Sequence, residues 1–245
     1  MLYDMTAAVV APNGDLVVVR RESTSQLSSG VWTERDNPVE LAGLRLVGQD
    51  VLALEQDGQG RGRAIYRWSN TGWARTLALR EADGWLLWIE GPARAIVARE
   101  TREFSSIHEV SRIDGRRRTR LRQATEGPLD LAWSDGNRIV LFGEQPDDGP
   151  AAFLYDGRAW TTRSLGFQNL GFTSSDTNDQ PVFGREPTSL LHVGGYGALV
   201  VFDGTTSRPL GGEEFRAVDV GGTPDDLWVV SPTGTVYRRR SAAAR

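Results

Sequence analysis

Two stretches of this chain repeat one another. "GREPTSLLHVGGYGALVVFDG" (184 to 204) lies on "GGTPDDLWVVSPTGTVYRRRS" (221 to 241) at an offset of 37 residues, with Gly184 on Gly221, Pro187 on Pro224, Leu190 on Leu227, Val193 on Val230 and Gly197 on Gly234. Self-similarity at a fixed period constrains the fold strongly, because each repeat is one supersecondary element that must stack on its neighbours to bury an apolar face. The pattern reaches further back: "APNGDLVVVRR" (11 to 21) resembles "WSDGNRIVLFGE" (133 to 144). A turn after the third apolar run also recurs, at Asn70, Asp114, Asp156 and Asp203, spaced 44, 42 and 47 residues apart. Asn-Gly and Asp-Gly between alternating runs mark tight hairpins, since their type I′ turns need positive φ at both central positions.

Each repeat reads as four short strands. Innermost strands are expected near 6–11, 43–47, 85–90, 129–133, 181–184 and 215–220, which makes six repeats. Second strands follow as "DLVVVRR", "DVLALEQ", "ARAIVARE", "RIVLFGE", "SLLHVGG" and "DLWVVSP". The third strand of the first repeat is read at "GVWTERD" (30 to 36) and its fourth at "PVELAG" (38 to 43). No apolar 3.6-residue period persists over three turns, so almost no helix is expected. Six units of this size predict an all-β, six-bladed β-propeller of four-stranded antiparallel blades, one domain over 1–245. No fourth strand follows Arg240 except the small tail "SAAAR". "MLYDM" at the N-terminus is expected to supply it and close the ring without an unpaired edge. In "TPDDLWVVSPTGTVYRR" the chain resembles bacterial β-propeller repeat proteins, clearly over roughly 130–240; the marks of WD repeats and of kelch repeats are missing.

Composition narrows the chemistry. All 28 basic residues are Arg, and cysteine is absent. A Walker A lysine, a Schiff-base lysine, a thiolate nucleophile and a disulfide are therefore excluded. A formal charge of -4 argues against a nucleic-acid partner held by a net basic field. The N-terminal residues lack a signal-peptide pattern and no apolar run reaches membrane-spanning length, which leads to the expectation of a cytoplasmic protein with no membrane partner.

In a propeller, the turns between strands one and two and between three and four share one face. Here those are tight. The other face holds "ESTSQLSSG" (22 to 30), "QDGQGRGR" (56 to 63), "EQPDDGP" (144 to 150) and the insertion "GFQNLGFTSSDTNDQ" (166 to 180). Recognition residues concentrate on long loops carried by a rigid scaffold. The expected partner-binding surface therefore comprises Asp147, Asp148, Phe167, Phe172, Asp176, Asp179 and Tyr196.

Catalytic constellations are sparse. The two histidines, His108 and His192, fall inside strands, so a three-His zinc site is impossible, and no G-x-S-x-G occurs. Asp130, Asp219 and Glu90 lie on or beside innermost strands, where alternation could aim a carboxylate at a channel. Most of the eight tryptophans sit where blades pack or are capped. The densest charge run, "DGRRRTRLR" (114 to 122), places Arg116, Arg117, Arg118 and Arg120 on one hairpin. That hairpin is either a solvated outer strand, or a docking patch for an acidic group, and its tip is a site for Arg-directed proteolysis. These features lead to the expectation of a non-catalytic interaction module or regulatory subunit with a protein partner and with no cofactor, metal or small-molecule ligand. A metal-dependent hydrolase or lactonase-like enzyme and a glycan-binding lectin are the alternatives.

Overall fold

The computed structural model describes residues 5–20, 22–57, 61–100, 108–125, 129–145, 149–165, 184, 186–193, 199–209, 219–223, 226–230 and 235–240. They form antiparallel meanders in chain order. The first is β1 (Met5–Val10), β2 (Leu16–Arg20), β3 (Ser23–Ser28) and β4 (Val31–Asp36). The second is β5 (Leu41–Val47), β6 (Asp50–Gln56), β7 (Gly62–Ser69) and β8 (Gly72–Ala78); the third is β9 (Trp85–Gly91), β10 (Arg94–Glu100), β11 (His108–Asp114) and β12 (Arg117–Thr125). The fourth is β13 (Leu129–Ser134), β14 (Ile139–Gln145), β15 (Gly149–Tyr155) and β16 (Trp160–Ser164). Three-stranded sheets follow, β17 (Leu190–Val193), β18 (Leu199–Phe202) and β19 (Ser207–Pro209), then β20 (Asp219–Thr223), β21 (Asp226–Val230) and β22 (Val236–Arg240). One short 3₁₀ turn, Glu81–Asp83, is the only helical element among the described residues.

The sequence explains the order within each meander. Second strands such as Val17–Val19, Val51–Leu54, Ala95–Ala98 and Ile139–Phe142 are buried at consecutive positions. Consecutive burial means that both faces of the sheet are covered, which is why these strands read as unbroken apolar runs rather than alternations. The last strand of a meander is the reverse: every residue of β4 is exposed, and charge and Thr on such an edge oppose further pairing.

The chain divides into two compact parts, 1–124 and 125–245. In the first, Leu52, Leu54, Ile65 and Leu77 of the second meander pack on Leu86, Ile89, Ala95, Val97 and Ile113 of the third. Val19 of the first meets Leu41, Ala53, Ala64 and Tyr66 of the second. Successive sheets thus stack face on face. In the second part, Phe142 and Phe202, both fully buried, meet edge to face at 5.3 Å, and the Trp133 indole N–H donates to the Gly184 carbonyl at 2.9 Å.

Three expectations need correction. In the first meander, 23–28 is the third strand and 31–36 the fourth, whereas 38–43 was expected to be the fourth. Residues 22–30 are therefore not a loop: Ser29 and Gly30, both at positive φ, make a two-residue turn. Strand β3 was hidden because its buried residues are polar. Thr24 Oγ1 donates to Asn37 Oδ1 at 2.6 Å and accepts the Trp73 indole N–H at 2.8 Å, while Arg20 reaches Ser25 Oγ at 2.9 Å. These partners come from β2, from β8 and from Asn37 just past β4, so the local sequence gives no apolar signal. Second, the second and third meanders join into one sheet through a pair at Gly62 and Leu86, where a Cβ on residue 62 would lie 2.9 Å from the Leu86 Cβ. Third, Met5, expected as the last residue of the closing strand, belongs to β1 opposite Arg20; residues 1–4, the rest of that expected strand, lie outside the described residues, and no closed sheet is formed among those described. The expected innermost strand at 181–184 is also outside them, except for Gly184, which is not in a strand.

Candidate functional site

In each meander, the turn from first to second strand and the turn from third to fourth lie at the same end of the sheet. Those connections are short in the four-stranded meanders, 11–15, 29–30, 48–49, 70–71, 92–93, 115–116, 135–138 and 156–159, and 203–206 joins β18 to β19 as tightly. Aspartates build several of them. The Asp156 carboxylate accepts the amides of Arg158 and Ala159, and Asp203 accepts those of Thr205 and Thr206 with the Thr205 hydroxyl. The backbone amides of Ala159 and Arg158 hold the Asp156 carboxyl below the usual carboxylate range, and the Thr205 hydroxyl followed by the Thr206 amide does so for Asp203. At the opposite end the chain length between described strands varies more, from two residues between β2 and β3 to seven between β10 and β11, 25 between β16 and β17 and nine between β19 and β20. Asp147, Asp148, Phe167, Phe172, Asp176, Asp179 and Tyr196, the expected partner-binding residues, all lie outside the described residues.

The basic hairpin is described throughout its tip. Gly115 and Arg116 form the turn and β12 starts at Arg117. Arg118 contacts the Asp83 carboxylate at 3.1 Å, and Arg120 pairs with Glu109, which Arg99 also reaches at 3.2 Å. Burial pushes the Glu109 carboxyl up, but the Arg120 hydrogen bond and the Arg99 charge outweigh it and hold the group below its usual range. Two of the four arginines are thereby engaged within their own sheet and its adjoining 3₁₀ turn. Arg116 and Arg117 are exposed and make no ion pair among the described residues. Trypsin is expected to cut this hairpin first after Arg116 and Arg117, with cleavage after Arg118 and Arg120 appearing only later; mass spectrometry of a limited digest reads the order.

Glu90 does not stand free toward a channel. Its side chain is 3% exposed and receives Arg112 at 2.8 and 2.9 Å and Arg94 at 3.0 Å. The side chains of Asp130, Asp219 and His192 lie outside the described part. His108 is buried edge-on against Trp85, ring centroids 5.2 Å apart. Among the described residues no three His, Asp or Glu side chains converge as a metal site. Of Trp85, Trp88, Trp133 and Trp228, expected to pack between blades, Trp85 and Trp133 are buried, Trp88 is half-buried under the Arg45 guanidinium at 4.0 Å, and Trp228 stays 40% exposed with the Arg238 guanidinium 4.6 Å from its ring.

A pocket of about 260 Å³ opens where sequence reasoning saw only tight turns, between the first and second meanders. Its apolar floor is Val17 and Val51. Asn13, Gln49 and Asn70 come from three separate turns, Gln26 from β3, and Trp68 and Ser69 from the end of β7. Behind the wall sits buried Asp15. Its carboxylate accepts the Gln26 amide at 2.5 Å and the Asn13 amide at 2.9 Å, and its own N–H donates to Asn13 Oδ1 at 3.2 Å. Hydrogen bonds from Ser28 and then Gln26 keep the Asp15 carboxyl below the ordinary range, so it is ionised and holds both amides in place. The available sequence signal was the coincidence of amide residues in turns of adjacent repeats: Asn13-Gly14, Gly48-Gln49 and Asn70-Thr71.

Comparison with known proteins gives a fold class. No protein-family model and no curated protein matches the chain by sequence. Its backbone is similar to the β-propeller domain of the trilobed protease from Pyrococcus furiosus, with a TM-score of 0.60 at 12% identity over 96% of this chain and 80% of that one. It is similar to YCF48 bound to a D1 peptide, with a TM-score of 0.57 at 15% identity over 98% of this chain and 79% of that one. It is also similar to streptogramin B lyase, with a TM-score of 0.55 at 10% identity over 98% of this chain and 84% of that one. The protein has a β-propeller fold. No helix among the described residues is long and apolar enough to cross a membrane.

Proposed function

We propose that this chain is a single six-bladed propeller, closed by its N-terminal residues, and that it serves as a non-catalytic protein-interaction module or cytoplasmic regulatory subunit. The observation that carries this reading is the unequal length of connections at the two ends of the sheets. Within the sheets one end is tied by short hydrogen-bonded turns, while at the other end more sequence separates the described strands, as between β10 and β11, β16 and β17, and β19 and β20. Long connections on a rigid scaffold are where recognition residues gather. The likeness to YCF48, described with a bound peptide, supports a peptide or protein ligand for this fold. Asp147, Asp148, Asp176 and Asp179 would supply charge to the binding end, and Phe167, Phe172 and Tyr196 the aromatic anchors common in interface centres.

Deletion of 167–179 tests the proposal. A partner captured by the full chain and then purified is expected to bind the deletion variant at least tenfold more weakly, with the thermal melting of the two proteins unchanged. Equal binding by both proteins overturns the assignment of this end. A metal-dependent hydrolase on the same fold predicts instead that turnover responds to chelators while the deletion leaves capture intact.

A further inference from the structure

The amide-lined pocket is built from the turn end of the first two meanders, and its chemistry differs from the charged and aromatic residues of the proposed partner surface. None of the residues lining it is ionisable. An anionic ligand such as a phosphate, or a cationic ligand such as an ammonium, would find no opposite charge there, since the nearby Asp15 carboxylate already serves the Asn13 and Gln26 amides. A purely apolar ligand would cover the Gln49 and Asn70 amides, which make no hydrogen bond among the described residues, and would offer them no partner in exchange for water, which disfavours it. What remains is a neutral ligand rich in both donors and acceptors.

Details of the wall sharpen this. Gln26 directs an amide hydrogen to Asp15, which fixes its carboxamide plane and leaves its oxygen for a ligand donor. The Gln49 and Asn70 amides make no hydrogen bond among the described residues, so each offers a donor and an acceptor to whatever enters. Trp68, half-buried and tilted against Trp73 at 5.1 Å, gives the pocket one indole wall beside these polar groups. An aromatic wall next to carboxamides suits a ring with an apolar C–H side and a rim of hydroxyls. Size sets the length of the ligand: pockets for drug-sized molecules run about 300–1,000 Å³, so this one of about 260 Å³ accommodates a single small ring and not an extended chain.

We infer that the pocket formed by Asn13, Gln26, Gln49, Trp68, Ser69 and Asn70 is a binding site for one neutral sugar ring, whether free or at the end of a glycan. The inference is independent of the proposed protein-binding end. Trp68 provides the readout. The full chain is titrated with neutral hexoses and deoxyhexoses, with glucuronate and glucosamine as charged counterparts, while tryptophan fluorescence and proton-detected ligand NMR are followed.

At least one neutral sugar is expected to bind saturably, with a dissociation constant in about the millimolar range natural to a small polar ligand. The charged counterparts are expected to bind at least tenfold more weakly. Asn70→Ala and Gln49→Ala alter exposed turn side chains, so the fold persists, and each is expected to weaken the sugar at least fivefold. Gln26→Leu is expected to abolish binding. No saturable response to any neutral sugar overturns the inference, as does equal affinity for the charged sugars, or binding that Asn70→Ala and Gln49→Ala leave unchanged. Capture of a peptide at this pocket in place of any sugar also overturns it.

Discussion

Replacing Glu90 with alanine is expected to lower the stability of this protein by about 3–5 kcal/mol, the cost of leaving a buried charge without its partner. Arg112 is the charge left behind. Its side chain is 16% exposed, is fastened to both Glu90 oxygens, and stands on β11 opposite Ile96 of the buried strand β10. Arg94, 40% exposed, can turn toward water and loses little. The effect therefore belongs to the Glu90–Arg112 pair and should vanish when both are removed together. Glu90→Leu combined with Arg112→Met is expected to recover most of the loss, because well-packed apolar groups of similar volume replace buried ion pairs at little cost. Thermal denaturation reads both outcomes, with roughly 2–4 °C per kcal/mol for a chain of this size. A Glu90→Ala protein that melts with the parent would mean that water reaches Arg112.

Glu90 also shows how far the residues alone lead toward a site. Its place on the strand 85–91 was legible, but its orientation was not, since alternation was read as aiming it at a channel and it instead faces Arg112 and Arg94. Its partner was not, since Arg112 lies 22 residues away on the far side of β10 and pairs with it only once the register of three strands is set. The same limit applies to the pocket. Asn13, Gln49 and Asn70 each read as ordinary turn residues, and each is one. Their convergence depends on stacking of the first two sheets through Val19, Leu41 and Tyr66. By contrast, the turns at Asp114, Asp156 and Asp203 and the apolar second strands were readable directly, because their cause is local: a left-handed glycine after an aspartate, and burial of a strand on both faces. The polar strand β3 escaped for the opposite reason, its burial being sustained by Asn37, Trp73 and Arg20.

Pairing of strands within a sheet brings backbones closer still, and one glycine measures how close. Gly84 precedes β9 with φ of +90°, and a Cβ placed on it would lie 1.8 Å from the Ala98 carbonyl oxygen and 2.8 Å from the Arg99 Cα. Its own carbonyl accepts the Arg63 guanidinium at 2.6 Å, so the segment is also anchored from β7. Neither obstacle can be moved by a side-chain rotation, since both belong to the backbone of β10, whose Ala95–Ala98 run is wholly buried. Gly84→Ala is therefore expected to destabilise by about 3 kcal/mol or more, at the upper end of what single substitutions do. Gly115→Ala is the control. That residue also has positive φ, +57°, but a Cβ there meets nothing within 4 Å, so only the left-handed backbone opposes it and about 1 kcal/mol is expected. Chemical denaturation of the two variants separates conformational strain from steric exclusion. Equal losses in both would show that β9 can retreat from β10 by the width of a methyl group, and the close pairing of these two strands would then be softer than their burial implies.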